Sequence, residues 1–266
     1  MKTGISFLLV LALCACTLNQ TSRQFTAVSF NQKQEIKPDI PVQKACWFEM
    51  ENIFYLWQQN SSVVHIYHNG KHINSLGDTG TDKLNFRKLT DICLAPDGNL
   101  YLLDNFDRRI SKIDKRGSWI AEVALPAGIN PQLLAVSQDE SFFVYDDSSR
   151  EIVVFKATGK EINRFGRMIF SAPRKMALND NIISVYDNDG STYFFTRLGQ
   201  FLDVTEGNCY LENNRTIRLE KYFFSVSGSD YNFAVNLKPW QKMFYEAPNI
   251  LLIDSEKIIT GKITYE

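Results

Sequence analysis

Residues 96–117 read PDGNLYLLDNFDRRISKIDKRG, and this stretch decides the fold. It runs from a tight turn through a short apolar run, an acidic turn and a mixed run to a second Gly turn. The same phrase returns along the chain. The glycines that close each copy, Gly70, Gly117, Gly159 and Gly199, are spaced 117−70=47, 159−117=42 and 199−159=40 residues apart. The apolar run before each acidic turn keeps step: Leu102-Leu103-Asp104-Asn105, then Val144-Tyr145-Asp146-Asp147, then Val185-Tyr186-Asp187-Asn188. A degenerate copy precedes them at Tyr55-Leu56-Trp57-Gln58, and a weak one follows at Ser225-Val226-Ser227-Gly228. A fixed period of this length marks a repeat architecture.

One unit, Leu89 to Leu125, resolves into four strands. Thr90–Leu94 is the first. Pro96-Asp97-Gly98-Asn99 turns the chain, its Asp-Gly pair tolerating positive φ. Leu100–Leu103 is almost wholly apolar, as a strand covered on both faces must be. Asp104–Asp107 turns again, Arg109–Asp114 is the third strand, and Trp119–Ala124 the fourth. Four antiparallel strands per forty-odd residues make the blade of a β-propeller. A lone blade cannot bury both faces, whereas radial stacking around a channel buries them and leaves short edges. No long 3.6-period stripe with caps interrupts the pattern, so the class is all-β.

Blades are expected near 44–86, 87–126, 129–169, 171–205 and 207–246. Residues 247–266 then hold two strands, Ile250–Asp254 and Lys257–Tyr265, half a blade. Strand-like sequence around Phe25 to Ile36 completes it and closes the ring. Six blades is the expectation and five the alternative.

Two phrases, LTDICLAPDGNLYLLDNFDRRISKID and SFFVYDDSSREIVVFKATGKEINRFG, resemble the NHL repeat. The likeness runs well from Glu49 to Val204 and poorly from Gly207 to Glu266. It departs at Trp57-Gln58 and at Gly228, where other copies carry Asp.

The N-terminus is of a different kind. Lys2 precedes a seven-residue apolar core, Phe7 to Leu13, too short to span a bilayer. It ends Leu13-Cys14-Ala15-Cys16, which resembles the lipobox of bacterial lipoprotein signal peptides. The resemblance implies removal of residues 1–15 and a covalent lipid on Cys16; an ordinary secretory signal cut near Ala15 is the alternative. Residues 16–43 are then a lipidated N-terminus and tether, with Pro38 and Pro41, and the strand-spaced run Gln24–Phe30 is lent to the ring. The propeller occupies 44–266. Thr17 stands where an inner-membrane lipoprotein often carries Asp, which implies the outer membrane. No acidic residue falls in Thr17 to Gln24, which favours the periplasmic leaflet over the cell surface. Lipobox and repeat together resemble the six-bladed propeller lipoproteins of Bacteroidota.

Loss of Lys2 moves the formal charge from −1 to −1−1=−2, a near-neutral surface that speaks against nucleic acid. An apolar fraction of 44% suits a packed body. Beyond Cys14 and Cys16 the chain carries Cys93, expected as a buried thiol, and Cys46 and Cys209, whose pairing the sequence leaves open.

The candidate binding face is the set of acidic turns: Asp104, Asn105 and Arg108, then Asp146, Asp147 and Arg150, then Asp187 and Asn188. Stacked blades gather them on one face. The competing role is structural, since Asp and Asn bond their own turn backbone. His65, His68 and His72 share one hairpin, but the odd spacing of the first two points them to opposite faces, so no metal site is expected. No Gly-x-Ser-x-Gly elbow, His-Glu-x-x-His pair or phosphate loop appears. The expectation is a non-enzymatic, membrane-anchored binding or scaffold module with no cofactor beyond the lipid and an envelope protein as partner, a small ligand being left open. The alternative is a lactonase- or lyase-like enzyme with a divalent metal in the central channel.

Overall fold

The structure, a computed structural model, describes residues 28–265 except 78–81, 180, 213–214, 221–222, 228–231, 237–241 and 247–248. The expected signal segment 1–15, Cys16 and the start of the tether lie outside the described residues. Those described form six four-stranded antiparallel sheets, arranged as the blades of a six-bladed β-propeller. Five are continuous in sequence: blade 1 spans 42–76, blade 2 spans 89–124, blade 3 spans 131–165, blade 4 spans 175–206 and blade 5 spans 208–236. Blade 6 takes Lys242–Glu246, Asn249–Ile253 and Ile258–Tyr265 from the C-terminus and Val28–Ile36 from the N-terminus. Helical structure among the described residues is a single 3-10 turn, Glu49–Glu51.

In blades 2, 3 and 6 the second strand is the most deeply packed. Every residue of Leu100–Asp104, Phe142–Asp146 and Asn249–Ile253 is buried. The outermost strands face water, and Phe201–Glu206 is exposed along nearly all its length. Between blades lie separate apolar clusters. One joins Tyr55, Ile66 and Phe86 to Ile92 and Leu102 across blades 1 and 2. Another joins Leu251, Ile253 and Ile258 to Ala45, Trp47 and Phe54, sealing blade 6 against blade 1 where the ring closes.

Two expectations are corrected. Lys242–Glu246 is the inner strand of blade 6, not the end of a blade spanning 207–246, so closure takes three C-terminal strands and one N-terminal strand rather than two and two. The reason is burial: Asn249–Ile253 is buried throughout and apolar but for Asn249, so it requires a neighbour on each side, and Lys242–Glu246 and Ile258–Tyr265 supply them. The repeat places Ser225-Val226-Ser227-Gly228 at the second strand of a blade, but Phe223–Ser227 is the third strand of blade 5. The second is Arg215–Glu220, and Glu220 takes the position held elsewhere by Asp.

The long N-terminal strand pairs with Ile258–Tyr265 through an irregularity at Gln32 and Gln34. Gly261 permits the approach: a Cβ there would lie 2.4 Å from the Phe30 ring and 2.6 Å from the Asn31 carbonyl oxygen. Cys46 and Cys209 are buried and none of Cys46, Cys93 and Cys209 is disulfide-bonded. Cys93 is half-buried rather than buried, because it lines the channel.

Candidate functional site

The acidic turns come first, as the sequence singles them out. Asp104 and Asp146 end second strands and Asp187 follows one, and all three carboxylates are buried. Each one binds the loop that leads into its own blade. Asp104 accepts from the backbone N–H of Arg87 at 3.0 Å and of Phe106 at 3.0 Å. Asp146 accepts from the Asn130 N–H at 2.8 Å and the Ser148 hydroxyl at 2.6 Å. Asp187 accepts from the N–H groups of Ser171 at 2.6 Å, Ala172 at 2.7 Å and Asn188 at 2.7 Å. Burial by itself would raise the Asp146 and Asp187 carboxyls, but these bonds outweigh it and hold both below their ordinary value.

The remaining turn residues lie outward. Asp147, Arg150 and Asn188 are exposed, while Asn105 and Arg108 are half-buried. Arg108 and Arg150 sit at φ 49 and 55, closing four-residue turns in the left-handed region, where the third copy uses Gly190. None of the eight turn residues lines the central channel. The three carboxylates are therefore each committed to hydrogen bonds within their own blade.

The histidines form a surface hairpin. The rings of His65 and His72 approach with Nδ1 3.4 Å from Nε2, and the His68 ring lies 3.1 Å from the Asn69 amide instead. Among the described residues no group of three or more metal-ligating side chains gathers.

The channel presents the more distinctive chemistry. It is a cavity of about 1060 Å³ walled by the first strand of each blade. Strand pairing shows which wall positions are equivalent. In each blade one inner residue faces the residue just ahead of the acidic turn position: Lys44 with Trp57, Asp91 with Leu103, Leu133 with Tyr145, Lys175 with Tyr186, Asn208 with Leu219 and Lys242 with Ile253. Blades 1 to 6 thus contribute Lys, Asp, Leu, Lys, Asn and Lys at one level, near the face where the chain enters each blade.

These side chains bridge blades. Lys44 Nζ donates to Asp91 at 2.8 Å, and Asp91 accepts from the Leu134 N–H at 2.9 Å, tying blades 1, 2 and 3. Lys242 Nζ donates to the Val42 carbonyl at 2.7 Å across the closure. Lys175 Nζ reaches the Met243 carbonyl of blade 6 at 3.0 Å. Burial would lower the Lys44 ammonium, but the Asp91 carboxylate outweighs it and raises it. Lys175 has no such partner: burial, then the Lys44 and Lys242 ammoniums, push it down to about 8. Burial also lowers Lys242. Sequence reading missed this ring. Its signal was present as Gln43-Lys44-Ala45, Arg174-Lys175-Met176 and Gln241-Lys242-Met243, but the match appears only once the blades are in register.

No protein-family model and no curated protein sequence matches the chain. Among solved structures it is similar to a gluconolactonase from Xanthomonas campestris, with 13% identity, 85% of this chain and 88% of that one covered, and a TM-score of 0.61. It is also similar to a catalytically inactive virginiamycin B lyase from Staphylococcus aureus with quinupristin, at 13% identity, covering 84% of this chain and 80% of that one, TM-score 0.55. A third is BBS1N in complex with ARL6DN, at 12% identity, covering 88% and 97%, TM-score 0.55. At such identities the likeness shows the fold, a six-bladed β-propeller. The particular protein is defined by its own features, the N-terminal closing strand and the lysine-bearing channel.

Proposed function

We propose that this chain is a lipid-anchored, non-enzymatic binding module of a bacterial envelope, an NHL-type propeller lipoprotein of the Bacteroidota kind. Acyl chains on Cys16 hold it at the outer membrane, in the periplasmic leaflet, and its rim docks a second envelope protein. The observation that carries the binding role is the apolar outer rim of blades 3 and 4. Leu198 is 85% exposed, and Ile162, Phe201, Leu202 and Val204 are each more than 40% exposed beside it. Asn163 Nδ2 donates to the Leu198 carbonyl at 2.9 Å, so the two blades meet there. Clustered exposed apolar side chains mark interaction surfaces. Phe201–Glu206 is also an edge strand with one side unpaired, open to strand addition. BBS1N, a propeller solved with a protein bound, supports such use of this fold.

The enzyme reading draws on the same fold, since a gluconolactonase and lyases share it. This chain's residues favour it less. Three lysines against one carboxylate at the channel's charged level repel a divalent cation. The turn carboxylates that would hold a metal are occupied by backbone N–H groups.

The test is a cross-linked pull-down of the lipidated protein from native membranes, with Leu198→Asp/Leu202→Asp as comparison. One dominant partner, recovered at least about tenfold less with the variant at unchanged Tm, is the expected result. Equal recovery with both proteins, or no partner, overturns the reading.

A further inference from the structure

The lysine ring has no role in the rim docking proposed above and carries an inference independent of it. At one level the six blades contribute three ammoniums and one carboxylate, a balance of +3−1=+2, and Arg174 and Glu220, which line the same cavity beside that level, offset each other. The carboxylate is already committed: Asp91 accepts from Lys44 and from the N–H groups of Ile92 and Leu134. Among the described residues no carboxylate lies within 4.0 Å of Lys175 or Lys242, and each is held by neutral oxygens only. Each ammonium offers three N–H donors, so two of Lys175's remain for another acceptor. Asn208, at the same level in blade 5, has a buried Oδ1 with no hydrogen-bond partner, an amide that can turn its N–H groups to the same point.

Charge withdrawn from water without counter-charge is costly, and the two half-buried ammoniums left without a carboxylate, Lys175 and Lys242, come from separate blades and are compensated by an anion. We propose that Lys175 and Lys242, with Lys44 held on Asp91 beside them, form an oxyanion site at the mouth of the channel, taking a carboxylate or phosphate group. The group enters from the face of the incoming loops, and the rest of its molecule extends into the cavity of about 1060 Å³. Lys175 and Lys242 donate to it, Lys44 stays on Asp91, and Asn208 orients a neighbouring oxygen. The fit is to a point-like oxyanion, since lysine binds as a compact charge without the planar fork of arginine.

The test uses the full chain. In one arm inorganic phosphate, and in another succinate, is titrated to about 10 mM against chloride at equal ionic strength. A saturable rise in Tm of at least about 3 °C is expected in one arm, which also identifies the oxyanion. In parallel, an acetylating reagent at about pH 8 is followed by mass spectrometry. The effective oxyanion should slow labelling of Lys175 at least about threefold while leaving exposed Lys88 unchanged. This readout needs no variant. Lys175→Met/Lys242→Met should lose the thermal shift and Lys88→Met should keep it. Neither oxyanion shifting Tm or protecting Lys175 overturns the site, as does a shift that survives in the double variant, which would place the ion elsewhere.

Discussion

Asp187 and Lys175 represent opposite solutions to burying a charge. Asp187 is supplied with three backbone N–H donors and is held ionised below its ordinary value. Asp187→Ala leaves those donors without an acceptor and should cost roughly 2–3 kcal/mol in chemical denaturation. A group whose folded pKa is depressed stabilises above its unfolded value, so this contribution, with that of Asp146, is present at neutral pH. It is lost as acid takes the pH down through the folded values. Lys175 is also depressed, to about 8 from 10.5, but its window lies above neutral pH, so at pH 7 it is a penalty rather than a contribution. Between those values the unfolded chain binds more protons, so stability should rise with pH from about 8 to 10.5, by up to about 3 kcal/mol. Lys175→Met should be more stable at pH 7 and show no such rise; a flat wild-type profile contradicts the assignment. The turn aspartates were legible from sequence because Asp before a hairpin has a known local role. The lysines were not, because their relation is set by six pairing registers rather than by spacing.

At the scale of the element, the closing strand carries the most consequence. Gly261 lies where Val28–Ile36 crosses Ile258–Tyr265, and a methyl there meets both the Phe30 ring and the Asn31 backbone. Gly261→Ala should destabilise the ring by about 1–3 kcal/mol and expose the N-terminal strand to limited proteolysis while the cores between blades 1 and 4 persist. Unchanged proteolysis would show that the strand is not held there. Blades 2, 3 and 4 are legible because each repeats an apolar run, an acidic turn and a Gly turn. Blade 5 is not: Glu220 replaces Asp and Lys221-Tyr222 lacks turn residues, so the pattern falls on its third strand instead of its second. That slip of one strand displaced the division of strands at the closure, although the N-terminal strand itself was anticipated. In blade 6 Asp254 does hold the acidic position, accepting from the Lys257 N–H at 2.8 Å, which follows only from the correct boundaries.

For the whole molecule, the proposed anchor and the closure are joined. Val28 begins the closing strand 28−16=12 residues after Cys16, so the tether reaches at most about 40 Å from a lipid on that cysteine. On the anchoring proposed at Cys16 the tether joins blade 6, and in a ring of six its opposite is blade 3. On the same proposal the apolar rim of blades 3 and 4 lies across the ring from the tethered blade, where a second envelope protein would have access. The most direct test of this account is a cross-link map of the lipidated protein in native membranes. The account predicts cross-links to one dominant partner from Lys156 and Lys160, exposed beside the rim of blade 3, and few from Lys33 and Lys37 near the tether. Partner cross-links concentrated at Lys33 and Lys37, or a partner bound equally well by Leu198→Asp/Leu202→Asp, would contradict it.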